Sequence, residues 1–251
     1  MTTSAQLEWW PAEKVAANTT IATAANGLRF TSWAEARISH AEMEYLVGAV
    51  PRVLVPAIVD HCYYFVPLVI SEGNQILIAP SQTEDAAERA ICHRDLALGL
   101  IQAVFLSSRL TEDRFSLNFE FCINVAHNFV DAVGVPAEFG EMVWSQAQAG
   151  VRGETSRDAW DARRKAFQTD HEAAGQAGNE RARKEYEETA FCDALAVYIL
   201  SLVTDFDYHD LREREYPLLA APALAERLRH IARLFPANDG YEFQIRYRRR
   251  G

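Results

Sequence analysis

Long apolar runs are missing from this 251-residue chain. The nearest approach, Ala194 to Val203, falls short of the ~18 residues that a bilayer-crossing helix needs and reads as a buried helix. The four cysteines, Cys62, Cys92, Cys122 and Cys192, show no CxxC spacing. Three of them stand in apolar stretches, where a thiol behaves as a small buried hydrophobe, and this points to a reducing compartment. Also absent are a Gly-rich phosphate loop of the Walker or dinucleotide type and a GxSxG elbow, which disfavours ATP-dependent and α/β-hydrolase chemistry. Basic charge is scarce: 25 Lys and Arg face 35 Asp and Glu, for a net charge of −10. Broad attraction to nucleic acid or anionic lipid draws on clustered cations, so neither partner is expected. The one compact basic cluster is Arg246, Tyr247, Arg248, Arg249 and Arg250 in the tail 246–251, read as a solvated extension. The opening MTTSAQLEWWPAEK has no basic start followed by an apolar segment, and a cytoplasmic location is expected.

What is present is core-forming material. With 49% hydrophobic and 24% charged residues, the chain can bury a substantial core, and its length fits a single domain over 1–251 with an irregular arm at 1–27. Periodicity predicts an amphipathic helix over Thr31 to Val50, stopped by Pro51. In YYFVPLVISEGNQILIAP, β-branched and aromatic residues flank Glu72, Gly73 and Asn74, the composition of a hairpin, with Pro67 confining its first strand to an edge or a bulge. Ser81 and Glu84 have capping-box spacing and predict a long helix to Leu110. A further helix is expected from Thr111 to Val133, closed by Gly134 and Pro136. Between Val143 and Gln176 exposed helix is expected, with a loop near Gly175 and Gly178. A helix from Asn179 to Asp205 has a second half, ALAVYILSLV, that is apolar all round and must be buried. A last helix runs from Ala221 to Leu234, followed by a short strand over Tyr241 to Tyr247. The fold class is α+β and predominantly helical: five or six helices with one small antiparallel sheet.

The helix from Thr111 to Val133 carries two stripes. Opposite the apolar one, at about 100° per residue, Glu120, Asn124, His127 and Asp131 share a narrow sector, with Asn128 at its margin. One reading is the wet face of an amphipathic helix. Against it, Asn, His and Asp are poor helix-interior residues that need another reason to be there. His127 and Asp131 are an i, i+4 pair able to reach one metal ion or one shared hydrogen bond. Elsewhere, Asp205, Asp207, His209 and Asp210 read as a solvated turn sooner than a divalent-ion site, and His61 and His93 read as satisfied lone histidines.

The string VAHNFVDAV resembles the HExxH helix of the zincin metallopeptidases. His127 falls on the first metal ligand, Asn128 on the general-base Glu and Asp131 on the second His. In the gluzincin branch a later helix supplies a third ligand through a pattern like ExxADxxA. Here ETAFCDALAVYIL places Cys192, Asp193 and Ala196 on the ADxxA part, with Thr189 at the ligand position and Glu188 one residue early. The family also carries an edge strand ahead of the metal helix, where peptide substrates add to the sheet, and the hairpin around Gly73 has that order.

The resemblance covers roughly Tyr63 to Leu202. It implies Asn128 and Glu120 at the catalytic positions and His127, Asp131, Glu188 and Asp193 around one divalent ion, zinc or a harder metal suited to oxygen ligands. Hydrolysis by this family needs a carboxylate to take a proton from metal-bound water, and Asn128 cannot ionise. The implied protein is therefore a degenerate or repurposed metallopeptidase relative, a pseudoenzyme that binds or acts on a protein or peptide partner. Two alternatives stand beside it. One is a helical interaction or regulatory protein without an active site, dimeric through its apolar helices; the other is an active metal-dependent hydrolase with an atypical ligand set.

Overall fold

The computed structural model describes residues 9–73, 75–82, 87–109, 114–168, 171–211 and 216–246, with the backbone alone at 168 and 171–179. The chain divides into two units, 1–121 and 122–251. The first holds β1 (Trp10–Pro11), α1 (Ala12–Ala17), β2 (Ala22–Thr23), β3 (Arg29–Ser32), α2 (His40–Gly48), β4 (His61–Val66), β5 (Leu68–Glu72), β6 (Gln75–Ala79), β7 (His93–Leu98) and β8 (Ile101–Ser107). It ends within α3 (Arg114–Val133), whose residues up to Phe121 belong to it.

Strand β4 organises this unit. From Cys62 to Val66 every side chain is buried, so the strand needs cover on both faces. It sits at the centre of a five-stranded sheet of order β2-β3-β4-β8-β7. Its pairings with β3 and β8 are parallel, while β2 and β7 run antiparallel at the two edges. On one face Cys62, Tyr64 and Val66 join Ala103 and Phe105 of β8, Val69 of β5, Ile76 and Ile78 of β6, and Ala12 and Val15 of α1 in one apolar cluster. On the other face Tyr63 and Phe65 meet Phe121 of α3, with ring centroids 5.0 and 6.0 Å away. A second sheet, antiparallel and of order β1-β6-β5, supplies the cover for the first face.

The expected hairpin around Gly73 is present as β5 and β6, in register from Leu68↔Ala79 to Glu72↔Gln75; Asn74 lies outside the described residues. Pro67 is neither at an edge nor in a bulge. It separates β4 from β5 and marks where the chain leaves one sheet for the other, since Pro breaks a ladder. The single small antiparallel sheet expected from the sequence is corrected to two sheets, of three and five strands, the larger one mixed. Most of the difference comes from the stretch predicted as a helix from Ser81 to Leu110. There β7 and β8 form a second hairpin, closed by a turn at Gly99 and Leu100, where Gly99 adopts φ +64°. Ala103 to Leu106 are buried consecutively, and such a run fits a sheet-centre strand as well as a buried helix. Glu84, half of the expected capping box, lies outside the described residues. A capping box is present at Ser39 with Glu42: Ser39 Oγ accepts from Glu42 N–H and Glu42 Oε2 accepts from Ser39 N–H. It starts α2 at His40, so the helix expected from Thr31 gives way to β3 and a loop in which Ala34 and Arg37 both take φ +52°.

The second unit is helical. After the rest of α3 come α4 (Ala137–Gln148), α5 (Arg157–Gln168), α6 (His171–Ser201) and α7 (Ala221–Leu234). With seven helices among the described residues, and about 48% helix against 19% strand, the protein is a predominantly helical α+β fold. Gly134, at φ +78°, ends α3 as expected, and α7 keeps its predicted bounds. The backbone of α6 passes through Gly175 and Gly178, where a loop was expected. Residues 241–246 form no strand, and the rest of the expected terminal strand lies outside the described residues. Ala194 to Leu200 are all buried, as an all-apolar helix half requires. Phe129, Phe139, Phe191 and Phe235 interlock around this half at centroid distances of 5.0 to 6.2 Å. No helix among the described residues is long and apolar enough to cross a membrane.

One charged group stands at the centre of this unit. Glu154, fully buried, accepts hydrogen bonds from Arg227 Nη1 at 2.8 Å, Tyr186 Oη at 2.5 Å and Arg163 Nη1 at 3.2 Å. Arg227 is likewise fully buried and gives its Nε to Gln146 Oε1 at 2.8 Å. The four helices α4 to α7 thus each place a side chain on this one network. Glu154 is fixed by its backbone as well: its N–H reaches Pro217 O and its carbonyl accepts from Leu219 N–H. The neighbouring Gly153 makes this approach feasible, because a Cβ there would stand 2.2 Å from Leu218 O, at φ +80°.

Two substitutions test this. Gly153→Ala is expected to lower unfolding free energy in urea by about 2 kcal/mol or more, since left-handed strain adds to a backbone clash. Glu154→Gln, which strands the buried Arg227 guanidinium and the half-buried one of Arg163, should cost about 3–5 kcal/mol in the same titration. A loss under about 0.5 kcal/mol for either would mean that the segment is held by something else.

Candidate functional site

The polar stripe of α3 divides along its length. Asn124 and Asn128 are buried, whereas His127 and Asp131 are exposed. Glu120 looks toward the sheet: its Oε1 lies 2.5 Å from His93 Nδ1 at the start of β7. The hydrogen bond to Glu120, outweighing burial, raises the His93 pKa above its ordinary value and favours the imidazolium form. His93 is thus a satisfied histidine, and Glu120, which the resemblance assigns to a catalytic position, serves as the partner of that ring.

Of the residues that the zincin resemblance assigns to a metal, Asp131 and Glu188 come to one neighbourhood. Burial, then the negative charges of Asp193, Asp131 and Glu188, raise the pKa of the Cys192 thiol, so Asp131 and Glu188 are both within electrostatic reach of that sulfur. Glu188 also pairs with Lys184 at 3.4 Å. Asp193 faces the start of α5, where its Oδ2 accepts from Thr155 Oγ1 at 2.7 Å. Ser156, whose hydroxyl also bonds Asp193, accepts from Ala159 N–H and caps α5. Among the described residues no three His, Cys, Asp or Glu side chains converge in a way that can hold a metal ion. A divalent ion at Asp131 and Glu188 would need ligands beyond these two carboxylates.

One exposed feature of the first unit is the outer edge of β7. The strand ends the five-stranded sheet, and its residues are half-buried or exposed. Ser107 N–H donates to Cys92 O at 2.8 Å, which makes 92 and 107 a hydrogen-bonded pair in the β7–β8 register. By the alternation of antiparallel ladders, Arg94, Leu96 and Leu98 spend their backbone groups on β8. Those of His93, Asp95 and Ala97 point outward, and no strand among the described residues pairs with them. At the tip of the hairpin Leu100 is 94% exposed.

The sequence reading missed this edge because it assigned the segment to a helix. It also missed the Glu154 network, although a signal was available: Arg227 stands on the apolar stripe of α7 with Ala223, Leu224, Leu228 and Ile231, a place where an unpaired charge would be costly. Around Asp205 to Asp210 the chain forms a turn in which Asp210 Oδ2 accepts from Asp207 N–H at 2.7 Å. His61 Nδ1 lies 2.8 Å from Asp60 Oδ1, a local pair. Comparison with known protein families, with characterised proteins and with solved structures found no match to this chain.

Asp193 yields a pH prediction. Burial, opposed by the hydrogen bonds from Ser156 and Thr155 and reinforced by the Glu154 charge, raises its pKa from 3.8 to about 6. A carboxyl that holds its proton more tightly when folded stabilises the fold at low pH. That contribution is full below the unfolded pKa and is lost as pH rises through the folded one. Asp193→Asn keeps an acceptor for Thr155 without the buried charge. It should exceed the parent in stability at pH 7.5 by up to about 3 kcal/mol, with the gap closing toward pH 4. A gap that stays constant between pH 4 and 8 in urea titrations would show that Asp193 does not titrate in this window.

Proposed function

We propose that this chain is a repurposed relative of the zincin metallopeptidases that binds a polypeptide partner without hydrolysing it. The observation that carries the reading is the outer edge of β7, which no strand among the described residues pairs with; β7 and β8 form the hairpin that precedes the α3 helix bearing His127, Asn128 and Asp131. An exposed edge presents backbone donors and acceptors to any extended chain, and polypeptide recognition by strand addition needs no other machinery. Asn128 supports the loss of hydrolysis, because it is buried and has no proton-accepting carboxylate to offer a metal-bound water.

The reading predicts two results from one preparation, purified without a metal-binding tag. Fluorescent, reduced and alkylated casein should show a saturable rise in anisotropy on titration with the protein. The same casein, incubated with the protein and added zinc, should release no acid-soluble peptide. Peptide release that disappears in His127→Ala, together with about one equivalent of metal by elemental mass spectrometry, would replace this reading with an active metal hydrolase. Failure of the anisotropy to rise would remove the polypeptide partner.

A further inference from the structure

The outer edge of β7 has a chemistry of its own, and it restricts what can dock there. Successive side chains of the strand alternate between faces. Arg94, Leu96 and Leu98 share a face with Tyr64, Phe105 and Ala103, the side covered by the second sheet, and Leu96 and Leu98 pack against that apolar cluster. His93, Asp95 and Ala97 share the face on which Glu120 meets His93. A strand laid beside β7 continues both faces, so each of its residues meets one particular neighbour across the new ladder.

We propose that the outer edge of β7 takes an extended polypeptide segment, antiparallel, whose residues read apolar, small, apolar, basic, acidic in chain order. This inference rests on the polypeptide-binding reading above and specifies its partner. The first and third residues fall opposite Leu98 and Leu96 and extend the apolar cluster. The small one falls opposite Ala97. The basic residue meets Asp95 and the acidic one meets Arg94, both exposed. The antiparallel direction repeats that of β8 on the inner side and forms the slightly stronger ladder. His93 closes the far end, already bonded to Glu120, so a neutral residue suits the sixth position. Beyond it the chain leaves the edge, because Ile91 N–H turns to Val69 O of the other sheet.

Two labelled ten-residue peptides of equal composition separate this recognition from general stickiness. One carries Leu-Ser-Leu-Lys-Glu-Thr at its centre; the other has the Lys and Glu exchanged. With two charge pairs matched in the first and opposed in the second, the first should bind about tenfold more tightly by anisotropy. The Ala97→Pro variant removes an outward N–H and leaves the bonds to β8 untouched, so it should weaken binding of the first peptide by tenfold or more. The double variant Arg94→Glu, Asp95→Lys should reverse the preference, which gives a result even if the Pro variant proves misfolded by circular dichroism.

Equal affinity for the two peptides, with casein binding intact, overturns the proposed segment while polypeptide binding stands. Undiminished binding of the first peptide by a folded Ala97→Pro variant places the contact elsewhere and overturns it too. If neither casein nor peptide binds, polypeptide binding itself fails and this inference goes with it. If the unliganded protein sediments as a dimer that Ala97→Pro converts to monomer, the occupant of the edge is a second copy of the chain, and the peptide proposal is wrong.

Discussion

A carboxylate with no access to water sets the arrangement of the helical unit. Glu154 is tolerable in the interior only because two guanidinium groups and a phenol hydroxyl surround it, and those donors come from three different helices. Removing any one leaves the others in an environment that penalises unpaired charge, so α5, α6 and α7 must each keep a particular rotation and height. Gln146 extends the same demand to α4 through the Nε of Arg227. Apolar packing among Phe129, Phe139, Phe191 and Phe235 is less directional, and phenylalanine clusters accept small shifts that hydrogen-bond geometry does not.

In the first unit the comparable constraint is the two-faced burial of β4. A strand apolar on both sides can only be central, and it recruits the second sheet on one face and the start of α3 on the other. Pro67 makes this feasible by ending β4 and sending the next hairpin into the covering layer. The far edge of the same sheet follows from this order. Among the described residues β8 pairs with β4 on one side and β7 on the other, and β7 pairs with β8 alone, so its outer side is a sheet edge.

The polar stripe on α3 combines different environments that an angular projection treats as one. Glu120 is committed to His93, Asn124 and Asn128 are buried, and His127 and Asp131 are exposed. Helical phase gives the direction of a side chain and says nothing about what stands in front of it. For the same reason the spacing of Asp193 on its helix did not disclose that its carboxylate would be taken up by Thr155 and Ser156, residues nearly forty positions earlier in the chain.

The sequence by itself determined the helices whose ends carry their own signals: α3 with Gly134 and Pro136 behind it, the buried half of α6, and α7 with Pro236 behind it. It also determined the β5–β6 hairpin, whose register follows from a tight turn between β-branched runs. These are local agreements of pattern and punctuation. Only the tertiary structure decided that Ala103 to Leu106 are strand, because a short apolar run satisfies helix and sheet-centre strand alike until neighbours are chosen. Tertiary structure likewise decided the pairing of Glu154 with Arg227, 73 residues apart. A buried charge becomes a stable feature only when its partners arrive from elsewhere in the chain, and no local pattern encodes that arrival.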